Sequence, residues 1–278
     1  MIGAEYFMKL IHCADIHLDS PMETHMTTEQ ASMRNTEIIH SFIRMTEYAK
    51  KNEVRVVIIA GDLFDGERIR TRTVDEILDA IRSTPSVDYL YLAGNHDESS
   101  HAFSNHDLPQ NLKQFNRKWN SYVYDDVMIS GIEICDENAT SLYLNIPHRD
   151  GCVNIISLHG QVGTTCGIDQ INLNLLKNQG IDYLALGHLH SYSVHSLDNK
   201  GIYCYSGCLE GRGFDECDKK GFVLLTVESG RLQHEFVPFC CRQLHQVDVD
   251  ITGLTKNSEI GQMMKSAVQG IQPDDMVE

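Results

Sequence analysis

No stretch of this 278-residue chain approaches the run of about 18 apolar residues that a membrane-spanning helix needs. The N-terminus has no basic start leading into a long apolar segment, so it does not read as a secretory signal. No membrane role is expected. Positive charge is scarce. Lys and Arg number 23 against 39 Asp and Glu, a net charge of -16, which weighs against tight, nonspecific DNA binding by the chain alone. The nine cysteines include no CxxC pair, and only Cys240 and Cys241 are adjacent. An odd count without a spacing pattern reads as reduced thiols filling the core of a cytoplasmic protein. Internal repeats and low-complexity segments are also missing.

What the chain does have is a recurring arrangement. Five short apolar runs each end in side chains suited to binding metal. Lys9 to Ala14 leads into Asp15 and His17, Val54 to Ala60 into Gly61 and Asp62, and Tyr89 to Ala93 into Gly94, Asn95, His96 and Asp97. Val153 to Leu158 leads into His159, and Tyr183 to Leu186 into Gly187, His188, Leu189 and His190. Each run reads as a buried strand.

Helices alternate with these strands in the first half. Glu29 to Lys51 repeats its apolar residues near a 3.6-residue period. Thr73 to Glu76 has the pattern of a capping box, opening a helix that runs to about Arg82. Such spacing implies parallel strands joined by helical crossovers. Further on, Tyr122 to Tyr124, Val127 to Ile134 and Ser141 to Ile146 read as a short β region, and a helix is expected near Asp169 to Asn178. Gly201 to Tyr205 reads as another strand. Gly221 to Glu228 and Arg231 to Pro238 are joined by Ser229-Gly230, a hairpin signal. The fold class is α/β: a four-layer α/β/β/α sandwich of two mixed sheets. Residues 1–7 read as a leader or upstream start, 8–243 as the main domain, and 244–278 as the opening of a truncated C-terminal domain. Within that tail, Gln246 to Ile251 alternates like a half-exposed strand, and Ser258 to about Gly270 reads as a helix.

Taken singly, the motifs are weak: Asp-x-His triplets, Gly-Asp pairs and Asn-His-Asp turns are ordinary loop features. Their conjunction at five strand ends is what implies a shared site for two cations. Side chains two apart on an extended chain face the same way, so Asp15 and His17 can serve one ion, as can His188 and His190. Asp62 has two oxygens and is the natural bridge. Asn95 offers a neutral oxygen, His96 points toward substrate, and Asp97 is expected to hold one His96 nitrogen. The other nine histidines, His12 and His148 included, are read as structural or solvated. Mixed Asp, Asn and His ligands without Cys suit Mn, Fe, Co, Ni or Zn better than Ca or Mg.

In this order the motifs resemble the calcineurin-like metallophosphoesterase superfamily, with the match spanning residues 8 to about 240. The resemblance implies one ion on Asp15, His17, Asp62 and His190, the other on Asp62, Asn95, His159 and His188, and His96 as the acid/base histidine. It also favours Mn2+. Within the superfamily the chain looks like the bacterial DNA-repair exonuclease branch, the SbcD-like and YhaO-like proteins. That likeness rests on Leu10 to Asp19, on Gly61-Asp62-Leu63-Phe64-Asp65 and on Tyr205 to Glu216. It implies DNA as substrate, an SMC-like ATPase as partner and a homodimer. The chemistry implied is in-line hydrolysis of a phosphodiester, with His96 protonating the leaving oxygen. Arg68, Arg70 and Arg72 after the second motif, and Arg212 in the glycine-rich stretch, are candidate substrate contacts. Their competing readings are solvated charge at a helix start for the first three, and surface pairing of Arg212 with Glu210 and Asp215. Gly66 stands where the protein Ser/Thr phosphatases place an arginine, and Phe64-Asp65 where the purple acid phosphatases place a tyrosine; both branches fit less well. A small-molecule phosphodiesterase or phosphatase of the same superfamily is the main alternative, favoured by the negative charge. A metal-free scaffold is the other.

Overall fold

The computed structural model describes residues 7–22, 27–66, 69–97 and 102–278. Sixteen strands are present among them. β1 (Phe7–Cys13), β2 (Val54–Ala60), β3 (Asp88–Leu92) and β4 (Leu112–Gln114) lie parallel in one sheet. That sheet is completed by the antiparallel hairpin β13 (Gly221–Glu228) and β14 (Arg231–Pro238), in the order β14-β13-β1-β2-β3-β4. In the second sheet, β6 (Val127–Gly131), β7 (Val153–His159), β10 (Tyr183–Gly187) and β12 (Ile202–Tyr205) are parallel. β5 (Asn120–Tyr124) and β11 (Ser193–Ser196) close its two edges antiparallel, giving β11-β12-β10-β7-β6-β5. Both sheets are mixed, as the sequence implies. The expected hairpin turn is there too: Ser229 and Gly230 both take the positive φ that a two-residue turn between twisted strands requires.

Alternation along the strands builds three apolar layers. Ile11, Val57, Ile59 and Tyr89 face outward from the first sheet, against Ile38, Phe42 and Met45 of α1 (Thr28–Lys51) and Val74, Ile77 and Ile81 of α2 (Thr71–Arg82). Leu10, Val56, Ile58 and Leu90 face the other way, onto Ile155, Tyr183 and Ala185 of the second sheet. The outer face of that second sheet is covered by Leu142 and Tyr143 and by Leu176.

Several local expectations are corrected. The true capping box is at Thr27, whose side chain takes the Gln30 N–H while Gln30 returns to the Thr27 N–H. α2 begins two residues before Thr73, and Thr73 instead donates its hydroxyl to Asp19. Residues 141–146 are not a strand; Leu142–Asn145 form a 3-10 turn. The helix expected near 169–178 shrinks to one turn, α3 (Leu173–Leu176), preceded by the short parallel pair β8 (Gln161–Gly163) and β9 (Gln170–Asn172). Gln246 to Ile251 form no strand. The tail instead pairs β15 (Leu244–His245) with β16 (Met276–Val277), enclosing α4 (Asn257–Ala267), none of whose side chains is buried.

Candidate metal centre

In each sheet the parallel strands point their carboxyl ends to one edge, where ligands of α/β sheets gather. The loops leaving β1 and β2 run on in register beyond the strands: Asp15 N–H donates to Gly61 O and His17 N–H to Asp62 O, each at 3.0 Å. Four of the seven expected ligands, Asp15, His17, Asp62 and His188, have positive φ. Non-glycine residues hold that conformation only where their surroundings impose it, and such strain clusters at functional sites. Gly61 (φ +96°) is required for a different reason. A Cβ there would lie 2.0 Å from His159 Nδ1, so only glycine lets the two sheets bring Asp62 and His159 together.

All seven side chains converge. His17 Nε2 lies 3.1 Å from His190 Nε2 and 3.8 Å from Asp62 Oδ2. The same Asp62 oxygen lies 3.3 Å from His159 Nε2, which is 3.0 Å from Asn95 Oδ1. The His188 ring stands edge-on to that of His159, centroids 5.4 Å apart, and the His188 N–H donates to both Asp15 oxygens. Ligand atoms of Asp15, His17 and His190 form one compact group, and those of Asp15, Asp62 and His159 another. His159 Nδ1 bonds to the carbonyl of Ala60 and His190 Nδ1 to Glu216, at 2.9 and 2.6 Å. Each ring therefore turns its Nε2 lone pair inward. Lone-pair atoms facing one another in a buried space are what a cation satisfies, and the donor set fits two.

The electrostatics agree. Burial would raise the Asp62 carboxyl, but the hydrogen bond and charge of His159, with His17 behind it, hold it well below the usual carboxylate range. His159 moves the opposite way, up to about 9, because Asp62 and Asp15 outweigh its burial. Asp15 is raised to about 6 by burial and by Asp62. Burial and the nearby Arg212 charge lower His17 to about 3, leaving its ring neutral. A cation beside Asp62 takes the place of the proton this pair would otherwise share.

Residues 8–192 match the Calcineurin-like phosphoesterase family. The chain belongs to that family. As a calcineurin-like phosphoesterase it is a hydrolase of phosphoester bonds with a dinuclear divalent-metal site. It is 26% identical over 275 residues to the metallophosphoesterase YhaO of Bacillus subtilis (strain 168), covering 93% of this chain and 67% of that one. It is 25% identical over 297 residues to the DNA double-strand break repair protein Mre11 of Archaeoglobus fulgidus, covering 90% of this chain and 64% of that one. The chain thus spans about two thirds of the length of these relatives. Its fold is shared with a purple acid phosphatase from yellow lupin (TM-score 0.55, 13% identity, 87% of this chain and 52% of that one). It is likewise shared with TT1561 of Thermus thermophilus (TM-score 0.51, 9% identity, 83% and 99%).

The surroundings of the seven residues correct other expectations. His96 is half-exposed above the site, its ring edge-on to His17, but Asp97 is not the residue that holds it. His96 Nδ1 lies 2.8 Å from Asp65 Oδ1, a bond that raises the His96 pKa. Asp97 is buried and accepts the N–H groups of Leu63, Phe64 and Gly94, which ties the second and third loops together. The Asp65 signal was present three residues after Asp62. Arg212 is no surface residue paired with Glu210 and Asp215. Its Nη1 bonds Asp65 Oδ2 at 2.9 Å, and its Nη2 lies 3.4 Å from Glu216 Oε1 and 3.2 Å from His190 Nδ1. Glu216, like Asp65 a residue to which sequence reasoning gave no role, fixes the His190 ring. Arg70 is bound by Asp19 through its amide and guanidinium, and Arg72 by Glu76; both line a cleft of about 450 Å3 between α1 and α2. Arg68 lies outside the described residues. Among those described, no helix is long and apolar enough to cross a membrane.

Proposed function

We propose that this chain is a phosphodiesterase that cleaves DNA, the nuclease part of a repair enzyme. The observation that carries the reading is the position of Asp62 Oδ2, 3.8 Å from His17 Nε2 and 3.3 Å from His159 Nε2. One carboxylate oxygen thus stands between two ligand sets. Asp15, His17, Asp62 and His190 would hold one divalent ion, and Asp62, Asn95, His159 and His188 the other, with Mn2+ favoured over Fe, Co, Ni and Zn. Bound there, two divalent ions would supply neutralisation of phosphoryl charge and a water activated at neutral pH. The protein's own groups do the rest. His96, oriented by Asp65, protonates the leaving oxygen, and Arg212 holds a non-bridging phosphate oxygen from the side of His17 and His190. Glu216 keeps the His190 lone pair turned inward.

DNA as substrate is supported by the likeness to relatives named as DNA double-strand break repair proteins. An SMC-like ATPase partner, a homodimer and cytoplasmic repair work come with the resemblance to the exonuclease branch. A small-molecule phosphodiesterase is the second reading, favoured by two observations. The net charge is -16, and Arg70 and Arg72 are already paired with Asp19 and Glu76. Linear duplex DNA, single-stranded DNA and a chromogenic diester, assayed in parallel with Mn2+, separate the two. The nuclease reading expects cleavage of at least one DNA; turnover of the small diester alone contradicts it.

A further inference from the structure

Among the described residues the largest side chain wholly shielded from solvent is Arg34 on α1, and its partner Glu210 is 2% exposed. A buried ion pair is a poor stability device, since apolar side chains of the same volume often serve as well or better. What it does offer is one fixed geometry. This pair sits at the root of the loop that carries Arg212 and Glu216. Arg34 Nη2 bonds Glu210 Oε2 at 3.0 Å and the Gly211 carbonyl at 2.5 Å, and Nη1 bonds Glu37 at 2.5 Å. The other Glu210 oxygen takes the Ser41 hydroxyl and the Cys241 N–H.

The tail also grips the loop. Leu244 packs so closely on Gly211 that a Cβ there would lie 3.0 Å from its Cδ1, and Gln243 Nε2 donates to Cys217 O at 3.2 Å. Arg242 pairs with Glu37, which returns to Arg34. From this clamp the loop delivers Arg212 onto Asp65 and Glu216 onto His190.

We infer that Arg34 and Glu210 are positioning residues, fixing through α1 and residues 241–244 where Arg212 meets the substrate phosphate. The inference rests on the phosphodiesterase reading, in which Arg212 holds that phosphate. Arg34→Met combined with Glu210→Leu removes both buried charges at similar volume. With bis(4-nitrophenyl) phosphate and Mn2+, KM is expected to rise about tenfold while kcat stays within about threefold, the sign of lost uniform binding. In an Arg212→Ala background the same pair of substitutions should raise KM no further, because the effect acts through Arg212. Arg242→Ala, a change nearer the surface, should raise KM about threefold in the same direction; it keeps the test open if the double variant does not fold. A folded double variant, or Arg242→Ala, with the parental KM overturns the inference, as does a KM effect that adds in full to that of Arg212→Ala. Calorimetry with orthophosphate on the Mn2+-loaded parent and variants keeps this apart from the function itself. If the parent turns over neither this diester nor DNA, the functional reading fails; the positioning inference then stands on a loss of orthophosphate affinity in the variants, and falls without one.

Discussion

At the scale of single residues, the site is a set of ring tautomers and carboxylate orientations imposed by neighbours. His96 shows this best. Asp65, rather than Asp97, sets its ring. His96→Ala should keep both metals and lose about 10²–10⁴-fold in turnover, the usual worth of a positioned general acid. Metal content by elemental analysis beside diester kinetics checks this, and a parental rate removes His96 from the mechanism. His12, between the sheets, gives a pH prediction of known sign. Its Nδ1 bonds the Tyr183 hydroxyl, and burial lowers its pKa to about 3. Below the unfolded value near 6.5 the unfolded chain binds a proton that the native ring refuses, so stability is full above about 6.5 and falls as pH drops toward 3. Urea unfolding between pH 7 and 4 should show a shallower decline for His12→Gln than for the parent; equal slopes would place the titration elsewhere. The seven candidate ligands could be picked out in the sequence because each stands at a strand end, and the structure brings their side chains together. The roles of Asp65 and Glu216 could not, since which carboxylate orients which imidazole depends on contacts 31 and 26 residues apart.

At the scale of elements, long periodic segments and the short buried strands were legible, and several short outer segments were not. α1 has 24 residues with one apolar face, and its reading matches the structure to within a residue at its start. Ser141 to Ile146 carries strand-like residues, yet Leu142 and Tyr143 pack onto the outer face of the second sheet as a 3-10 turn. Tertiary burial overrode propensity there. The Thr73 capping pattern failed because Asp19, 54 residues away, claims its hydroxyl. Thr27 holds the working cap, and Thr27→Ala should lose about 1 kcal/mol in chemical denaturation without changing diester kinetics. Gly61→Ala belongs to the same scale and should do more. Its Cβ meets the His159 ring at 2.0 Å and its φ is positive, so the approach of the two sheets at the site must give way. Loss of one bound metal per chain, beside a lowered unfolding midpoint, is the expected outcome; full metal content with His159 undisplaced would contradict it.

For the molecule as a whole, two mixed sheets supply one edge with candidate ligands from five strands, three in the first sheet and two in the second. Neither sheet alone contains a site. Packing between them, through Leu10, Val56 and Ile58 against Ile155, Tyr183 and Ala185, is therefore a condition of activity. The loop from Gly207 to Glu216 adds Arg212 and Glu216 from beyond the matched family segment, and with them a link to the tail. The most direct test is anomalous diffraction from crystals soaked in Mn2+. Two peaks about 3.5–4 Å apart, astride Asp62 and reached by His17 and His190 on one side and by Asn95, His159 and His188 on the other, are the predicted result. A single peak, or manganese bound away from Asp62, would contradict it.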